Sequence, residues 1–203
     1  TKNTINNAIR ILMALGGSTN GLIHVIALAR RAGINLELDH FETIGQKTPF
    51  LVNLRPAGKY LMEDFYYAGG LNALMEGMRD LLDTDEKTCT GRSLGENIQG
   101  QKIHNSEVIK TPKKPINATG GLLVLRGNLA PDGAIIKANA ADPKFHEHTG
   151  PAIVFDSYAQ MSKIIDDPKL KITKESVLVL RNSGPIGGPG MPEWGMLPIP
   201  KKL

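Results

Sequence analysis

The side chains that could do chemistry in this chain fall in a few short stretches. Residues 184–195, "GPIGGPGMPEWG", hold five glycines and three prolines around one carboxylate, Glu193. Glycine admits positive φ and lets backbone approach a ligand closely, whereas proline fixes φ and limits the loop's freedom. A rigid turn of this kind, following the apolar run at 177–181, exposes backbone N–H groups as a substrate seat requires. Glu193 on its far side offers hard oxygen, the ligand type that Mg²⁺ prefers. A tight crossover with a solvated glutamate has the same composition. Composition leaves both readings open.

A second stretch is "LGGSTNG", residues 15–21. Its glycine turn and three small polar residues, Ser18, Thr19 and Asn20, stand where a helix begins. Free N–H groups at such a place suit a carboxylate or phosphate. Plain helix capping explains the same residues and is the simpler account. No Gly-Lys-Ser/Thr follows at the spacing of a nucleotide-binding loop. His24, one turn further on between Ile23 and Val25, reads as a hydrogen-bonded core histidine. His146 and His148 stand two apart and share no helix face, so they read as a surface pair. Cys89 is the lone cysteine, which cannot hold a metal cluster by itself. Glu63 and Asp64 read as a helix cap or solvated edge rather than a catalytic pair.

The elements that must position these residues follow from spacing. Ile5, Ala8, Ile9, Leu12, Met13 and Leu15 recur at three and four, which predicts a helix stopped by Gly16 and Gly17. Ser18, Thr19 or Asn20 caps a second helix that ends at Gly33. That helix is apolar round most of its surface as far as Arg30, which predicts burial in something larger. A third helix is expected with Asp39 as N-cap and Glu42 closing a capping box. Residues 49–82 predict a short extended piece, a turn at 55–58, and two helices split by Gly69 and Gly70. A short helix opens at Ser93. From about residue 105 the text changes to β-branched and leucine runs broken by Gly, Pro and Asn-Asp turns, with one clear helix near residues 157–166. The reading is therefore two domains, residues 1–104 and 105–203.

Composition sets outer limits. At 203 residues, 41% hydrophobic and 22% charged, the chain is of the globular type. The net charge of +4 is dispersed, and "KTPKKP" at 110–115 lacks the aromatic interleaving of a nucleic-acid surface. No stretch reaches the roughly 20 apolar residues of a membrane helix. Residues 1–10 have no basic-then-apolar leader, and the single cysteine favours a reducing, cytoplasmic setting. The chain begins at Thr1 and reads as a fragment.

The blocks "NAIRILMALGGSTNGLIHVIALARRAG", "LRPAGKYLMEDFYYAGGLNALM", "GNLAPDGAIIK", "GPAIVFDS" and "GPIGGPGMPE" together resemble the dihydroxy-acid and sugar-acid dehydratases. These are iron–sulfur hydro-lyases that turn 2,3-dihydroxy acids into 2-keto acids. The resemblance implies the helical end of an α/β domain, then part of a β-barrel-like, swivelling domain, with the active site between them. It implies that Glu193 is a Mg²⁺ ligand and gives Gly187, Gly188 and Gly190 a supporting place near substrate or metal. Ser18, Thr19 and Asn20 join them as candidate substrate contacts. The cluster cysteines, most Mg²⁺ ligands and a serine base belong to family segments outside residues 1–203, so this segment alone is expected to be inactive. Cys89 fits no cluster motif of the family.

"PEWGMLPIPKKL" is closer to the aldonate dehydratases than to the branched-chain biosynthetic enzyme, which favours a [2Fe–2S] cluster beside Mg²⁺. A homodimer or homotetramer acting on a small-molecule acid is the implied assembly, without nucleic-acid or membrane partners. Two alternatives remain: the branched-chain dihydroxy-acid dehydratase, and a non-catalytic binding or oligomerisation module.

Overall fold

The computed structural model describes residues 1–183 and 197–203. They fall into two compact units, Thr1–Asp142 and Pro143–Leu203.

The first unit opens with α1 (Lys2–Leu15), capped by the Thr1 hydroxyl, which accepts from the Thr4 N–H. Its end is a Schellman turn. Gly16 sits at φ 59, the Gly16 N–H donates to Met13 O at 3.2 Å, and the Gly17 N–H donates to Leu12 O at 3.0 Å. Buried Asn7 ties α1 to the chain near Asp83, donating to Asp83 O and accepting from the Asp83 N–H, each at 2.9 Å.

After α1 come α2 (Thr19–Arg31) and α3 (Leu38–Gly45). A left-handed Gly33 terminates α2, its N–H bonding to Arg30 O while the Ile34 N–H bonds to Ala29 O. Ile9, Met13, Leu22, Ala29, Phe41 and Leu122 bury the contact among these helices and the chain leading into the first strand. The cap of α3 differs from the expectation. The helix starts earlier, with Glu37 as N-cap, and His40 Nδ1 accepts from the Glu37 N–H at 3.2 Å. Asp39 and Glu42 are drawn away to Arg126, with Glu42 at 2.8 Å, because they share the side of α3 that this arginine reaches.

Residues 50–54 run extended through a second core. The Leu51 N–H donates to Ala14 O at 2.8 Å, the Lys110 N–H to Leu51 O at 2.8 Å, and the Asn53 N–H to Val108 O at 2.9 Å. Leu51, Val52, Leu74, Met78, Ile98 and Ile109 are almost wholly buried there. Two short helices, α4 (Met62–Tyr67) and α5 (Gly70–Gly77), are separated at Gly69, φ 114. Asp64 caps α4 by accepting from the Leu61 N–H at 2.8 Å. Helix α6 (Leu94–Ile98) opens on a reciprocal box in which Ser93 accepts from the Glu96 N–H and Glu96 accepts from the Ser93 N–H. Strands β1 (Leu123–Gly127) and β2 (Ala130–Ile136) then form an antiparallel hairpin, pairing Leu123 with Ile136.

In the second unit, β3 (Ala152–Phe155) and β4 (Val177–Leu180) pair in parallel, with α7 (Tyr158–Ile164) between them in sequence. Phe155, Met161, Ile165 and Ile172 form its core. The described residues are thus helices with two small sheets, one antiparallel and one parallel. No helix among them is long and apolar enough to cross a membrane.

Gly16 carries a double constraint: its φ is left-handed, and a Cβ placed on it would lie 2.4 Å from Phe50 Cε2. Left-handed backbone alone costs an L-residue roughly 1–2 kcal/mol. Gly16→Ala should lower the unfolding free energy of the intact protein by at least that amount in chemical denaturation, whereas Gly33→Ala, with open space around its Cβ, should lose less.

Candidate functional site

Ser18 lies three residues beyond the end of α1, in extended conformation at φ −72 and ψ 148. Its hydroxyl accepts from the Asn20 N–H at 3.2 Å, so it is the N-cap of α2. Capping does not exhaust its role, because the same turn forms one side of a cavity of about 420 Å³. Gly17, Ser18 and Thr19 line that side, Leu54, Arg55 and Met62 another, and Lys137, just past the end of β2, a third. Asn20 is not part of the lining. All these residues belong to the first unit.

The described charges in this cavity are of one sign. Arg55 donates from Nε to Lys59 O at 3.3 Å, which orients its guanidinium without neutralising it. Lys137 is half-buried, and burial holds its ammonium below the usual lysine range. Among the described residues no carboxylate lines the cavity. The positive end of the α2 dipole adds to the same potential. The arrangement suits an anionic, hydroxyl-bearing molecule: two cations for the acid, two side-chain hydroxyls for its alcohols, and an apolar wall of Leu15, Leu54 and Met62 for its carbons.

A second cavity of about 440 Å³ is lined by Glu76, Arg79, Asp85 and Glu96. Its arginine is already satisfied, by Glu76 at 2.9 Å and Gly95 O at 2.8 Å. That cavity is the weaker candidate for an acid substrate.

The other candidates fall out as follows. His24 is exposed, not a core residue, because the buried stripe of α2 runs through Leu22 and Ala29 and leaves position 24 outside it. His146 and His148 are both exposed, and His148 Nε2 lies 3.0 Å from Glu175 O. Cys89 is an exposed free thiol. Glu193, Gly187, Gly188 and Gly190 lie outside the described residues. Among those described, no three His, Cys, Asp or Glu side chains are placed to hold a metal ion, so they supply no ligand set for a cluster or for Mg²⁺. Reading along the sequence passed over Arg55, taken only as part of a turn, and Lys137. Neither sits in a motif, and only the fold brings residues 18, 55 and 137 to one place.

Against known proteins, two adjoining family models match. The N-terminal model of the dihydroxy-acid/6-phosphogluconate dehydratases covers residues 1–97, and the C-terminal model of the same family covers 107–203. The chain belongs to this family. Among individual relatives, a 6-deoxy-6-sulfo-D-gluconate dehydratase of Pseudomonas putida is 46% identical over all of this chain and 36% of its own length. An L-arabonate dehydratase of Azospirillum brasilense is 44% identical over all of this chain and 35% of its own. A dihydroxy-acid dehydratase of Caldicellulosiruptor saccharolyticus is 47% identical over 95% of this chain and 35% of its own. The chain therefore spans about a third of the length of these relatives.

The cap and the lining are separable contributions of Ser18. Ser18→Ala should destabilise the intact protein by about 1 kcal/mol and Ser18→Gly by only a few tenths, measured by denaturant titration. Equal losses for the two would mean that the hydroxyl does not cap α2.

Proposed function

We propose that the protein is a hydro-lyase that dehydrates a 2,3-dihydroxy sugar acid, an aldonate such as arabinonate or xylonate, to the 2-keto-3-deoxy acid. The observation that carries this reading is family membership along nearly the whole chain, in domain order, with sugar-acid dehydratases among relatives at 44–46% identity. The cavity at the start of α2 supports it, since it offers to a polyhydroxylated acid hydroxyls and cations that are uncompensated among the described residues. In the reaction the C2 proton and the C3 hydroxyl leave as water, and the resulting enol relaxes to the 2-keto acid. Residues 16–19, 55 and 137 would bind and orient the acid without taking part in bond breaking.

The proposal includes an iron–sulfur cluster, of [2Fe–2S] type, and Mg²⁺, bound mainly outside the described residues, with Glu193 as a Mg²⁺ ligand. Its support is the resemblance of "PGMPE" to the family's carboxylate motif. It also includes a β-barrel-like domain from about residue 105, with the active site between the two domains, and a homo-oligomer in the cytoplasm. The lone cysteine accords with a reducing compartment. A second reading, the branched-chain dihydroxy-acid dehydratase, has its own support in the relative at 47% identity. The segment "PEWGMLPIPKKL" favours the sugar-acid reading over it.

Assaying the intact protein on arabinonate, xylonate and 2,3-dihydroxyisovalerate separates the two. Turnover of either aldonate is expected, and turnover of the branched acid alone would sink the sugar-acid reading. In the same protein, Glu193→Gln should weaken Mg²⁺ binding measured by calorimetry and lower the rate. Unchanged Mg²⁺ affinity would return Glu193 to a purely structural role.

A further inference from the structure

Several arginines of this unit are paired within it. Arg10 meets Asp83 at 2.8 Å, Arg79 meets Glu76 at 2.9 Å, and Arg126 meets both Asp39 and Glu42. The cavity at the start of α2 breaks this pattern. Arg55 and Lys137 come from segments 82 residues apart (137 minus 55), converge on one space, and have no acidic partner among the described residues. Among the described residues the Lys137 ammonium has no hydrogen-bond partner either, although the residue is half-buried. Withdrawing an ammonium from water without a counter-charge is unfavourable, and two like charges on one cavity add to the cost. The N-terminus of α2 raises the positive potential further but is not what singles out the site.

Size and shape agree with the charge. About 420 Å³ falls within the usual range for a small-molecule pocket and admits a five- or six-carbon acid. Ser18 and Thr19 stand on the α2 side, and Met62 lies on the apolar side. The guanidinium, held through Nε to Lys59 O, keeps its terminal nitrogens for an oxyanion.

We propose that this cavity is an anion subsite, in which Arg55 and Lys137 together grip an anionic group of the substrate and set its register against the reacting carbons. The proposal rests on the sugar-acid reading and deepens it by naming two specificity-determining residues. The shared chemistry is an oxyanion, with two sources: the C1 carboxylate that every aldonate carries, or a second anion at the far end of a phosphorylated or sulfonated acid. Lys137 then gains in the complex a charge partner that it lacks among the described residues.

The test uses the intact enzyme with Arg55→Ala and Lys137→Met. Inorganic sulfate, titrated by calorimetry, should bind the wild type and weaken by about tenfold or more in each variant, the size expected for one charged hydrogen bond. Steady-state kinetics should show KM rising by a similar factor with kcat little changed, since the lost contact binds ground and transition states alike. A rise for arabinonate, 6-phosphogluconate and 6-deoxy-6-sulfogluconate together assigns the C1 carboxylate. A rise confined to the two doubly charged acids assigns the far-end anion. Arg55→Lys and Lys137→Arg, which keep the charge, should restore much of the sulfate affinity.

Should the neutral variants fold poorly, wild-type enzyme suffices. Acetic anhydride labelling read by mass spectrometry should show Lys137 protected by sulfate or arabinonate, with exposed Lys59 unaffected. Sulfate affinity and KM unchanged in well-folded variants, or no protection of Lys137, would overturn the subsite. A protein that binds sulfate through Lys137 yet dehydrates none of these acids keeps the subsite and loses the hydro-lyase reading. Turnover indifferent to both substitutions does the reverse.

Discussion

The first unit is organised around the need to satisfy the carbonyls at the end of α1. A helix leaves its last four C=O groups without intrahelical partners, and burying them bare is costly. Here Leu12 O takes the Gly17 N–H, Met13 O takes the N–H groups of Gly16 and Gly121, and Ala14 O takes the Leu51 N–H. Two of these donors come from far along the chain. The left-handed turn at Gly16 makes room for them, with the Phe50 ring packed where a side chain on Gly16 would stand and the Gly16 backbone where one on Gly121 would stand. One helix end therefore fixes the position of three segments.

Those three segments are the ones that line the cationic cavity. Ser18 and Thr19 follow the Gly16–Gly17 turn directly. Arg55 follows residues 50–54, anchored through Leu51. Gly121 leads into β1, whose first residue Leu123 pairs with Ile136, and Lys137 is the next residue of that strand's partner. The cavity is thus a consequence of backbone bonding at one point, with each wall a few residues from its anchor. That short lever suits a binding site, since small errors in the anchor become only small displacements of the contacting groups.

What could be read from the sequence divides along the same line. Signals that act within a turn or two were legible: the glycine stop of α1, a cap for α2 among Ser18, Thr19 and Asn20, the split at Gly69 and the helix start at Ser93 all depend on neighbours in sequence. The cap of α3 was misplaced because Asp39 and Glu42 have the spacing of a capping pair while a distant Arg126 competes for them. His24 was misjudged because a helix rich in apolar residues still buries only one stripe, and Ile23 and Val25 on either side do not decide which. The site was legible only in its local part. Ser18 and Thr19 carry a recognisable turn, whereas Arg55 and Lys137 are ordinary residues at the ends of extended segments until hydrogen bonds between those segments bring them together. Glu193 reached attention by resemblance, since composition could not choose between a metal ligand and a solvated side chain.

The charge distribution makes sense only when folding and binding are considered together. A corner carrying a guanidinium, a half-buried ammonium and a helix N-terminus lowers the stability of the free unit, and nothing in local propensity requires it. Ser18 and Thr19 would cap α2 equally well beside a neutral residue, and β2 could end in any side chain that tolerates half-burial. The corner persists because the bonds at the end of α1 over-determine the backbone and hold the cations in place against their repulsion. An anion bound there adds stability in proportion to its concentration relative to its dissociation constant, while the unfolded chain gains nothing comparable. The paired arginines on other faces, Arg10, Arg79 and Arg126, respond little to such an anion because their charges are already met within the protein. On the proposed anion subsite, ligand-dependent stability is concentrated at Arg55 and Lys137, whose charge is uncompensated among the described residues.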